Sequence, residues 1–473
     1  MNMNKTKIIA TVGPATACKE MIRQLILNGV DTIRINMSHS DDDFCRNIVR
    51  IINELNIELN TYVAVMIDIK GPIVRIGKVQ NNHAFLKKGD KIRIFMEDIL
   101  GDCTKFSVDY PNLIKDVPLN TTLKIDDGLV ELRVLDKGSN YLLCEVLKEG
   151  NIASHKTMNV LNIKLNRPFL SEKDKQVIKL AHELNADFLA LSFVSSSEDV
   201  LEVNDLLINM GNDHLQIISK IENNYAVADI DNIIKVSDGI MVARGDLGAE
   251  IPLERIPGIQ KKIISKCHAR GVISIVATEL LSNMTNLDHP TRAEVSDIAN
   301  AVLDGTDAVM LSGETTVGKY PVEALNMMER IIKAAEKDID YNSVLQKSIQ
   351  TEKRDVTGTL AYSVAGCALN LQCKAIFTPT MSGYTAKKIS RFHPICPIVA
   401  PSPNIATVKS LALNFGVYPV LIDDLKSLDA IVLKSKKLAQ EMLGLTTKDN
   451  IIITGGYPFK KVKTTNFMKI EEI

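Results

Sequence analysis

Short, continuously apolar segments alternate in the first 71 residues with longer segments whose apolar residues recur at helical spacing. Because the short segments do not alternate apolar with polar positions, they are typical of parallel strands that are covered on both faces. The predicted helices run near Lys19–Leu27 and Asp42–Leu55. The predicted strands are Lys7–Val12, Thr32–Asn36 and Tyr62–Asp68.

The pattern changes after Gly71-Pro72, where apolar and polar residues begin to alternate in short runs. Clusters of turn-forming residues, at Asp126–Gly128 and Lys137–Asn140, separate these runs. We interpret residues 72–161 as an inserted all-β domain, a lid on the remainder of the chain. Its clearest predicted strands are Lys91–Met96, Leu123–Ile125, Val130–Leu135 and Tyr141–Leu147.

Alternating strand and helix patterns resume after Ser171, which begins a helix with the spacing of a capping motif. Three strands before the insert and five after it predict eight parallel βα units, which favours a closed (β/α)8 TIM barrel over an open sheet. We assign the barrel to residues 1–71 and 162–342. The five later strands are Phe188–Ser192, Gln216–Ile221, Gly239–Ala243, Val272–Val276 and Ala308–Leu311.

A polar stretch at Tyr341–Arg354 is interpreted as a hinge that leads into a third unit. This unit, residues 343–473, is predicted to be an α/β domain. Three domains agree with a length of 473 residues, because one hydrophobic core rarely grows to that size. Its predicted strands are Ala375–Thr378, Ile398–Val399, Val417–Leu421 and Asn450–Thr454.

The composition excludes several classes of protein. Lys plus Arg (56) and Asp plus Glu (57) nearly cancel, so no overall field attracts the chain to nucleic acid or to a membrane surface. No apolar run approaches the length of a bilayer crossing, and the N-terminus lacks the apolar core of a signal peptide, so we expect a cytoplasmic protein. The eight cysteines show no zinc-like spacing and are interpreted as reduced packing residues.

Polar residues that close the barrel strands are the candidates for chemistry, because the active site of such a barrel lies at the C-terminal ends of its strands. Period-two alternation places Lys220 and Glu222 on one side of a strand. Asp246 follows the next strand between two glycines, where backbone N–H groups can approach an anion. The other candidates at strand ends are Arg34, Asn36, Ser38, Asp68, Thr278 and Glu279.

Two carboxylates from adjacent strands, without a Cys/His set, favour a hard ion such as Mg²⁺. Arg34 and Lys220 beside them suit a phosphate or enolate oxygen, and phosphoryl transfer needs little more than positioning and charge neutralisation. Taken alone, Lys220 and Glu222 fit a structural ion pair equally well, and Asp246 fits a turn. Taken together, the charged residues predict a Mg²⁺-dependent enzyme acting on a phosphate or enolate substrate.

Six segments around these residues carry longer motifs: Arg34–His39, Asp68–Pro72, Lys220–Asn223, Asp238–Gly248, Pro290–Asp297 and Met310–Thr315. Together they resemble the pyruvate kinase family, and the resemblance extends over essentially the whole chain. It implies transfer of the phosphoryl group of phosphoenolpyruvate to ADP, which gives ATP and pyruvate in glycolysis. It also implies Mg²⁺ as a cofactor, with Mn²⁺ as a substitute, and K⁺ as a second cation.

The resemblance assigns roles to single residues. Glu222 and Asp246 would bind Mg²⁺. Lys220 would stabilise the transferring phosphoryl group, Arg34 would hold it in the ground state, and Thr278 would lie on the side from which the enolate is protonated. The implied substrate-binding residues are Arg34, Lys220, Thr278 and the backbone amides of Gly245 and Asp246.

The nucleotide-binding residues implied in the same way are Asn36, Met37, Ser38, His39, Arg75 and Lys156. The implied K⁺ ligands are Asn36, Ser38, Asp68 and the carbonyl of Ile69. Ile73 stands where potassium-dependent members have glutamate, and Ile69 replaces a common threonine, so the requirement for K⁺ is left open. Glu279 follows Thr278 where glutamine is frequent, and an added carboxylate would be mildly unfavourable if it pointed inward.

A turn in the C-terminal domain is the expected effector site, because hydroxyls and backbone N–H groups between a strand and a helix can surround a phosphate. A plain turn fits the same residues equally well. The resemblance implies a sugar-phosphate or AMP effector, to which the basic residues 460–463 would add charge, and a homotetramer with Arg292 near a subunit contact. The turn residues are Thr380, Ser382, Gly383 and Thr385.

Two other functions stay open. The first is a lyase or aldolase that handles an enolate on the same barrel, although it would not need Arg75 and Lys156 as a nucleotide clamp. The second is a metabolite sensor that keeps the effector turn but has lost turnover, although the presence of Lys220, Glu222 and Asp246 argues against it.

Overall fold

The computed structural model describes residues 4–126, 128–212, 214–349, 355–424, 427–457 and 464–473. Asp127 of the predicted turn and the basic residues 460–463 lie outside these ranges. The chain begins with two βα units and a third strand. Their bounds are β1 Lys7–Val12, α1 Lys19–Leu27, β2 Thr32–Asn36, α2 Asp42–Leu59 and β3 Ala64–Asp68.

The insert follows as a mostly antiparallel β structure with one short helix. Seven of its strands form a sheet in the order β4-β12-β8-β9-β10-β6-β7, and β11 pairs with β5. A separate hydrophobic core fills this unit. The bounds are β4 Val74–Arg75, β5 Ala84–Leu86, β6 Lys91–Phe95, β7 Lys105–Ser107, α3 Leu113–Asp116, β8 Thr122–Ile125, β9 Val130–Lys137, β10 Tyr141–Lys148, β11 Gly150–Ile152 and β12 Thr157–Val160.

After the insert, five more strands and nine helices complete the βα alternation. Ser171 caps the first of these helices in a reciprocal capping box with Asp174. The bounds are α4 Glu172–Glu183, β13 Phe188–Val194, α5 Ser197–Asn209, β14 Gln216–Ile221, α6 Asn224–Ala228, α7 Ile230–Val236, β15 Gly239–Ala243, α8 Arg244–Glu250, α9 Ile256–Arg270, β16 Ile273–Ala277, α10 Arg292–Leu303, β17 Ala308–Leu311, α11 Gly313–Thr316 and α12 Pro321–Ala335.

The eight predicted strands close into one parallel barrel in the order β1-β17-β16-β15-β14-β13-β3-β2, which confirms the predicted fold class. Apolar side chains fill both its faces. Ile9, Met66, Phe188 and Ile218 belong to the core inside the barrel, where Leu413 from the C-terminal part also packs. The other face of the strands packs against the helices, which explains why the strands read as continuous apolar runs.

The last part of the chain is an α/β unit with a five-stranded sheet in the order β20-β19-β18-β21-β22, in which only β22 is antiparallel to its neighbour. Among the residues that the structure describes, four loop segments are 3₁₀ helices: Gln80–Asn82, Leu253–Arg255, Ser282–Thr285 and Glu336–Asp338. The bounds are α13 Tyr341–Ile349, α14 Val356–Asn370, β18 Ala375–Phe377, α15 Tyr384–Ser390, β19 Ile398–Ser402, α16 Ile405–Ser410, β20 Val417–Leu421, α17 Leu428–Leu443, β21 Asn450–Gly455 and β22 Phe467–Glu472.

The interpretation of Tyr341–Arg354 as a hinge was wrong for its first nine residues, which form α13. Tertiary contacts hold the first residue and the middle of this helix. The Tyr341 hydroxyl accepts a hydrogen bond from Lys5, and Leu345 packs on the core of the C-terminal unit. The remaining five residues, 350–354, lie outside the described ranges. Within the described ranges, no helix has both the length and the apolar character of a membrane span.

Candidate active site

One open cleft of about 920 Å³ lies at the C-terminal ends of the barrel strands and extends to the insert. Residues from β2, β14 and β15 form its barrel side, and Arg75, Asp126, Lys156 and Thr157 line it from the insert. The structure thus brings most of the candidate residues to one cavity. Those that line it are Arg34, Asn36, Ser38, His39, Arg75, Lys156, Lys220, Glu222, Asp246 and Thr278.

A buried network of charges lies at the centre of the cleft. The carboxylate of Asp68, fully buried at the end of β3, accepts hydrogen bonds from Arg34 Nε at 2.7 Å and from Ser192 Oγ at 3.0 Å. Lys220 Nζ donates to Ser192 Oγ at 2.6 Å and lies 3.4 Å from Asp68 Oδ2. Arg34 Nη1 also donates to Thr11 Oγ1 at 3.0 Å. Both cations are therefore held in fixed positions.

The pKa values of this network favour its charged forms. Burial acts to lower the pKa of Lys220, but the carboxylates of Asp68 and Glu222 outweigh it and raise that pKa above its ordinary value. Burial acts to raise the pKa of Asp68, but Lys220 and Arg34 outweigh it and hold that pKa below its ordinary value. The ammonium group and the Asp68 carboxylate are thus both ionised at neutral pH.

Glu222 is fully buried, and its two oxygens have different surroundings. Oε2 accepts the backbone N–H of Phe193 at 2.6 Å. Oε1 accepts no hydrogen bond and lies 2.9 Å from Lys220 Nζ. A buried carboxylate oxygen without a hydrogen-bond donor is costly unless a cation neutralises it. Lys220 is that cation in this structure, and a metal ion bound at Oε1 would serve the same purpose.

The residues present fit Mg²⁺. Glu222 and Asp246 line the cleft together, and Asp246 is close enough to raise the pKa of Lys220 further. Across the described ranges, no group of three or more His, Cys, Asp and Glu side chains could hold a metal ion. A pair of carboxylates without further protein ligands suits Mg²⁺, which takes its other ligands from water and substrate phosphates.

The backbone around Gly245 and Thr278 is unusual. Gly245 donates its N–H to Thr278 Oγ1 at 2.9 Å, and the Thr278 hydroxyl donates to the carbonyl of Ala277 at 2.6 Å. Thr278 and Glu279 both have left-handed φ, 67° and 56°. Non-glycine residues rarely hold this conformation without tertiary support. Here Arg244 supplies it by donating to the Thr278 carbonyl at 2.7 Å.

Some of the residues assigned to the nucleotide and K⁺ sites line the cleft, and others do not. Asn36, Ser38 and His39 line the cleft at the end of β2, where the Asn36 side chain accepts the N–H of Ser38 at 3.1 Å. Met37 and Ile69 do not line the cleft, and both side chains are buried beside it. Their side chains are therefore unsuited to contact a ligand, and the N–H of Met37 donates to the carbonyl of Asp68.

Arg75 and Lys156 lie on the insert side of the cleft. Arg75 Nη1 donates to the carbonyl of His155 at 2.9 Å, and its Nε is buried without a partner. Lys156 Nζ donates to Asp126 Oδ1 at 2.9 Å. The two cations therefore face the barrel carboxylates across the same cavity.

The two departures from the family pattern differ in position. Ile73 is buried and lines the cleft. Glu279 is exposed and is not part of the cleft lining, so its carboxylate does not point toward the candidate substrate site. The condition under which the added carboxylate would be unfavourable, an inward-pointing side chain, is therefore not met in this structure.

The candidate effector turn precedes α15. Gly383 has a left-handed φ of 76°, and its N–H is bound by Thr380 Oγ1 at 2.9 Å. The Thr385 hydroxyl is buried against that of Thr465 at 2.8 Å, whereas Ser382 is exposed. Thr380 and Thr385 hydroxyls thus support the turn itself, as in a plain strand-to-helix connection.

Several residues that line the cleft were not among the candidates from the sequence. Ser192 could have been found, because it ends the predicted strand Phe188–Ser192 as the other candidates end theirs. Phe193 acts through a backbone N–H, which leaves no sequence signal. Lys70 and Asp126 also line the cleft, and the position of Asp126 depends on how the insert packs against the barrel.

Comparisons with known proteins agree with this geometry. Family models match residues 3–325 ("Pyruvate kinase, barrel domain") and 358–471 ("Pyruvate kinase, alpha/beta domain"). The chain is 41% identical over 474 residues to the pyruvate kinase of Clostridium perfringens, with both chains covered in full. It is 40% identical over 471 residues to that of Geobacillus stearothermophilus, covering 99% of this chain and 80% of the relative.

A solved structure is also similar. The crystal structure of a pyruvate kinase from Cryptosporidium parvum matches with a TM-score of 0.93 at 34% identity, covering 99% of this chain and 96% of that one. Two family models and full-length relatives at about 40% identity agree with the barrel and its charged cleft. The chain therefore belongs to the pyruvate kinase family.

Proposed function

We propose that the chain transfers the phosphoryl group of phosphoenolpyruvate to ADP, giving ATP and pyruvate, as a Mg²⁺-dependent cytoplasmic enzyme of glycolysis. The observation that carries the proposal is that two fixed cations and two carboxylates meet in one cleft, with Arg34 and Lys220 beside Glu222 and Asp246. Phosphoryl transfer depends mainly on such positioning and charge neutralisation.

Arg34 and Lys220 would bind the phosphoryl group. Asp68 fixes the guanidinium of Arg34 through Nε and Nη2, both at 2.7 Å, which leaves Nη1 directed toward Thr11. The P–O bond to the enolate oxygen breaks while a terminal phosphate oxygen of ADP forms the new bond, and Lys220 balances charge on the phosphoryl group during this exchange.

The remaining enolate takes a proton at carbon to become pyruvate. Its carboxylate would be bound by the Thr278 side chain and by the amides of Gly245 and Asp246, at the N-terminus of α8. The Thr278 hydroxyl lies between the Gly245 N–H and the Ala277 carbonyl. We assign the protonation of the enolate to the Thr278 side of the cleft.

Glu222 and Asp246 would hold the Mg²⁺ ion, with Mn²⁺ as a substitute. When bound, the ion supplies charge neutralisation for oxygens of the substrate and the phosphoryl group. Lys220 Nζ lies 2.9 Å from Glu222 Oε1, so the ammonium group would share this carboxylate with a bound divalent ion.

Arg75 and Lys156 would bind the phosphates of ADP, together with Asn36, Ser38, His39 and the backbone at Met37. We propose that residues 72–161 form a lid over a barrel of residues 1–71 and 162–342, since both cations line the cleft from the insert side. Closure of such a lid would exclude water, which would otherwise accept the phosphoryl group.

Three finer assignments belong to the same proposal. Asn36, Ser38, Asp68 and the Ile69 carbonyl would bind K⁺. The C-terminal unit, residues 343–473, would be regulatory, with a sugar phosphate or AMP bound near Ser382 and Gly383. Four copies of the chain would associate, with Arg292 near a contact. Activity measured in K⁺ and in Na⁺, with a panel of sugar phosphates and AMP, tests the first two, and light scattering tests the third.

Pyruvate release from phosphoenolpyruvate tests the reaction. We expect release that requires both ADP and Mg²⁺, with one ATP formed per pyruvate. Carbon–carbon cleavage without ADP would favour a lyase instead. Effector binding without turnover in any cation would favour a sensor. Either result would overturn the proposed function.

A further inference from the structure

The end of strand β13 departs from regular pairing at the centre of the cleft. Leu191 pairs with Ser219 of β14, but the next pair joins Val194 to Ile221, so two residues of β13 stand opposite Lys220. This irregularity is a β-bulge formed by Ser192 and Phe193. Bulges beside active sites commonly redirect a side chain or a backbone group.

The bulge is strained. Phe193 has a left-handed φ of 58°, which is rare and strained for a bulky residue. Strain of this kind persists only where surrounding contacts hold it. The contacts that hold this bulge include the two functional groups of the neighbouring strand, Lys220 and Glu222.

Each residue of the bulge holds one of these groups. The buried hydroxyl of Ser192 accepts from Lys220 Nζ at 2.6 Å and donates to Asp68 Oδ1 at 3.0 Å. The N–H of Phe193 donates to Glu222 Oε2 at 2.6 Å, which leaves Oε1 toward Lys220. The bulge therefore sets the separation of the transfer lysine and the metal carboxylate.

The bulge also touches the start of the insert. Gly71 has a left-handed φ of 70°, and a Cβ at this position would lie 2.4 Å from the carbonyl oxygen of Ser192. The chain enters the insert at the next residue, Pro72. The backbone of Gly71, at the entrance to the insert, thus packs closely against the backbone of Ser192.

We propose that the Ser192–Phe193 bulge is a positioning element for phosphoryl transfer that fixes Lys220 against Glu222, and that Gly71 couples it to the insert. The inference rests on the proposed function. Ser192 is a positioning residue, because it acts through Lys220. Without its hydroxyl, Lys220 loses one of three partners and moves closer to Glu222, where it competes more strongly with a divalent ion.

The first test compares Ser192→Ala with Ser219→Ala. Ser219 is equally buried on β14, and its hydroxyl bonds to that of Ser237 at 2.7 Å outside the cleft. For Ser192→Ala we expect kcat to fall about 10- to 100-fold, with KM for ADP unchanged. We also expect the Kd for Mn²⁺, titrated without substrate, to rise about tenfold. Ser219→Ala should change neither quantity.

Equal effects of the two serine variants would mean that Ser192 is merely structural and would overturn the proposal. Unchanged Mn²⁺ binding in Ser192→Ala would overturn it too. These results are separable from failure of the proposed function, in which the wild-type protein itself releases no pyruvate from phosphoenolpyruvate. The Mn²⁺ titration needs no turnover and decides the role of the bulge in either case.

The second test addresses the coupling through Gly71. Gly71→Ala and Gly89→Ala both place a side chain at a left-handed φ in or beside the insert, but a Cβ at Gly89 meets no atom within 4 Å. We expect Gly71→Ala to lower kcat about tenfold or more, and Gly89→Ala to change it by less than about twofold. Equal rates in the two variants would overturn the coupling. If Gly71→Ala does not fold, Mn²⁺ binding by the serine variants still decides the positioning role.

Discussion

Replacing Lys220 with methionine should abolish turnover and strengthen the binding of a divalent ion. Methionine has nearly the length of lysine but no charge, and the site is almost closed to solvent, with the Lys220 side chain 9% exposed. The substitution removes the ammonium group that we propose neutralises the phosphoryl group. It also removes the cation that lies 2.9 Å from Glu222 Oε1.

The two effects can be estimated from the contacts. A preorganised charge that acts on the transition state is worth about 4 kcal/mol, so kcat should fall about 10³-fold or more. At an effective dielectric constant of 20, two charges 2.9 Å apart attract by about 6 kcal/mol. Desolvation offsets most of this attraction. We therefore expect the free energy of Mn²⁺ binding to become more favourable by about 1.4 kcal/mol, which corresponds to a tenfold lower Kd.

Pyruvate formation measures the first effect, and calorimetric titration with Mn²⁺ in the absence of substrate measures the second. Lys235→Met, which changes an exposed lysine on α7, is the matched control and should leave both values unchanged. A kcat within about tenfold of wild type would refute the role of Lys220. Weaker Mn²⁺ binding in Lys220→Met would refute the idea that the lysine and the metal ion share Glu222.

Three further predictions concern Lys156 of the insert, His268 of α9 and Glu279. Lys156→Ala should raise KM for ADP about tenfold and leave KM for phosphoenolpyruvate unchanged, because Lys156 lines only the insert side of the cleft; steady-state kinetics measure both. Burial, aided by His393, lowers the pKa of His268 to about 3 from an ordinary 6.5. The folded protein thus keeps the imidazole neutral at pH values where the unfolded chain takes up a proton. The free energy of unfolding should therefore be fully retained above pH 6.5 and should fall by about 2 kcal/mol between pH 7 and pH 5. Urea unfolding should show that His268→Gln removes most of this loss. Glu279→Gln should change kcat by less than about twofold in the pyruvate assay, because the carboxylate is exposed outside the cleft.

The barrel was predictable from the sequence because its strands are buried on both faces. Continuous apolar runs such as Lys7–Val12 and Gln216–Ile221 match the observed strands residue for residue. Strand β22 was missed, because Phe467–Glu472 is an edge strand whose polar residues face solvent. Short strands of the insert such as Val74–Arg75 carry too few residues to show a period.

The candidate site was predictable where a regular strand determines direction. Period-two alternation placed Lys220 and Glu222 together, and the structure has them 2.9 Å apart. The bulge at Ser192 and Phe193 breaks that regularity, so strand periodicity could not reveal it. The ion pair of Lys156 with Asp126 depends on tertiary packing of the insert, which no local pattern encodes. The catalytic roles of these residues stay predictions until they are tested.

The central claim is that Lys220, Arg34 and the two carboxylates surround one divalent ion. Anomalous diffraction from crystals soaked in Mn²⁺ tests it most directly. We predict an anomalous peak coordinated by carboxylate oxygens of both Glu222 and Asp246, with Lys220 Nζ displaced from Glu222 Oε1. A peak bound by only one of these residues, or no peak in the cleft at saturating Mn²⁺, would contradict the account.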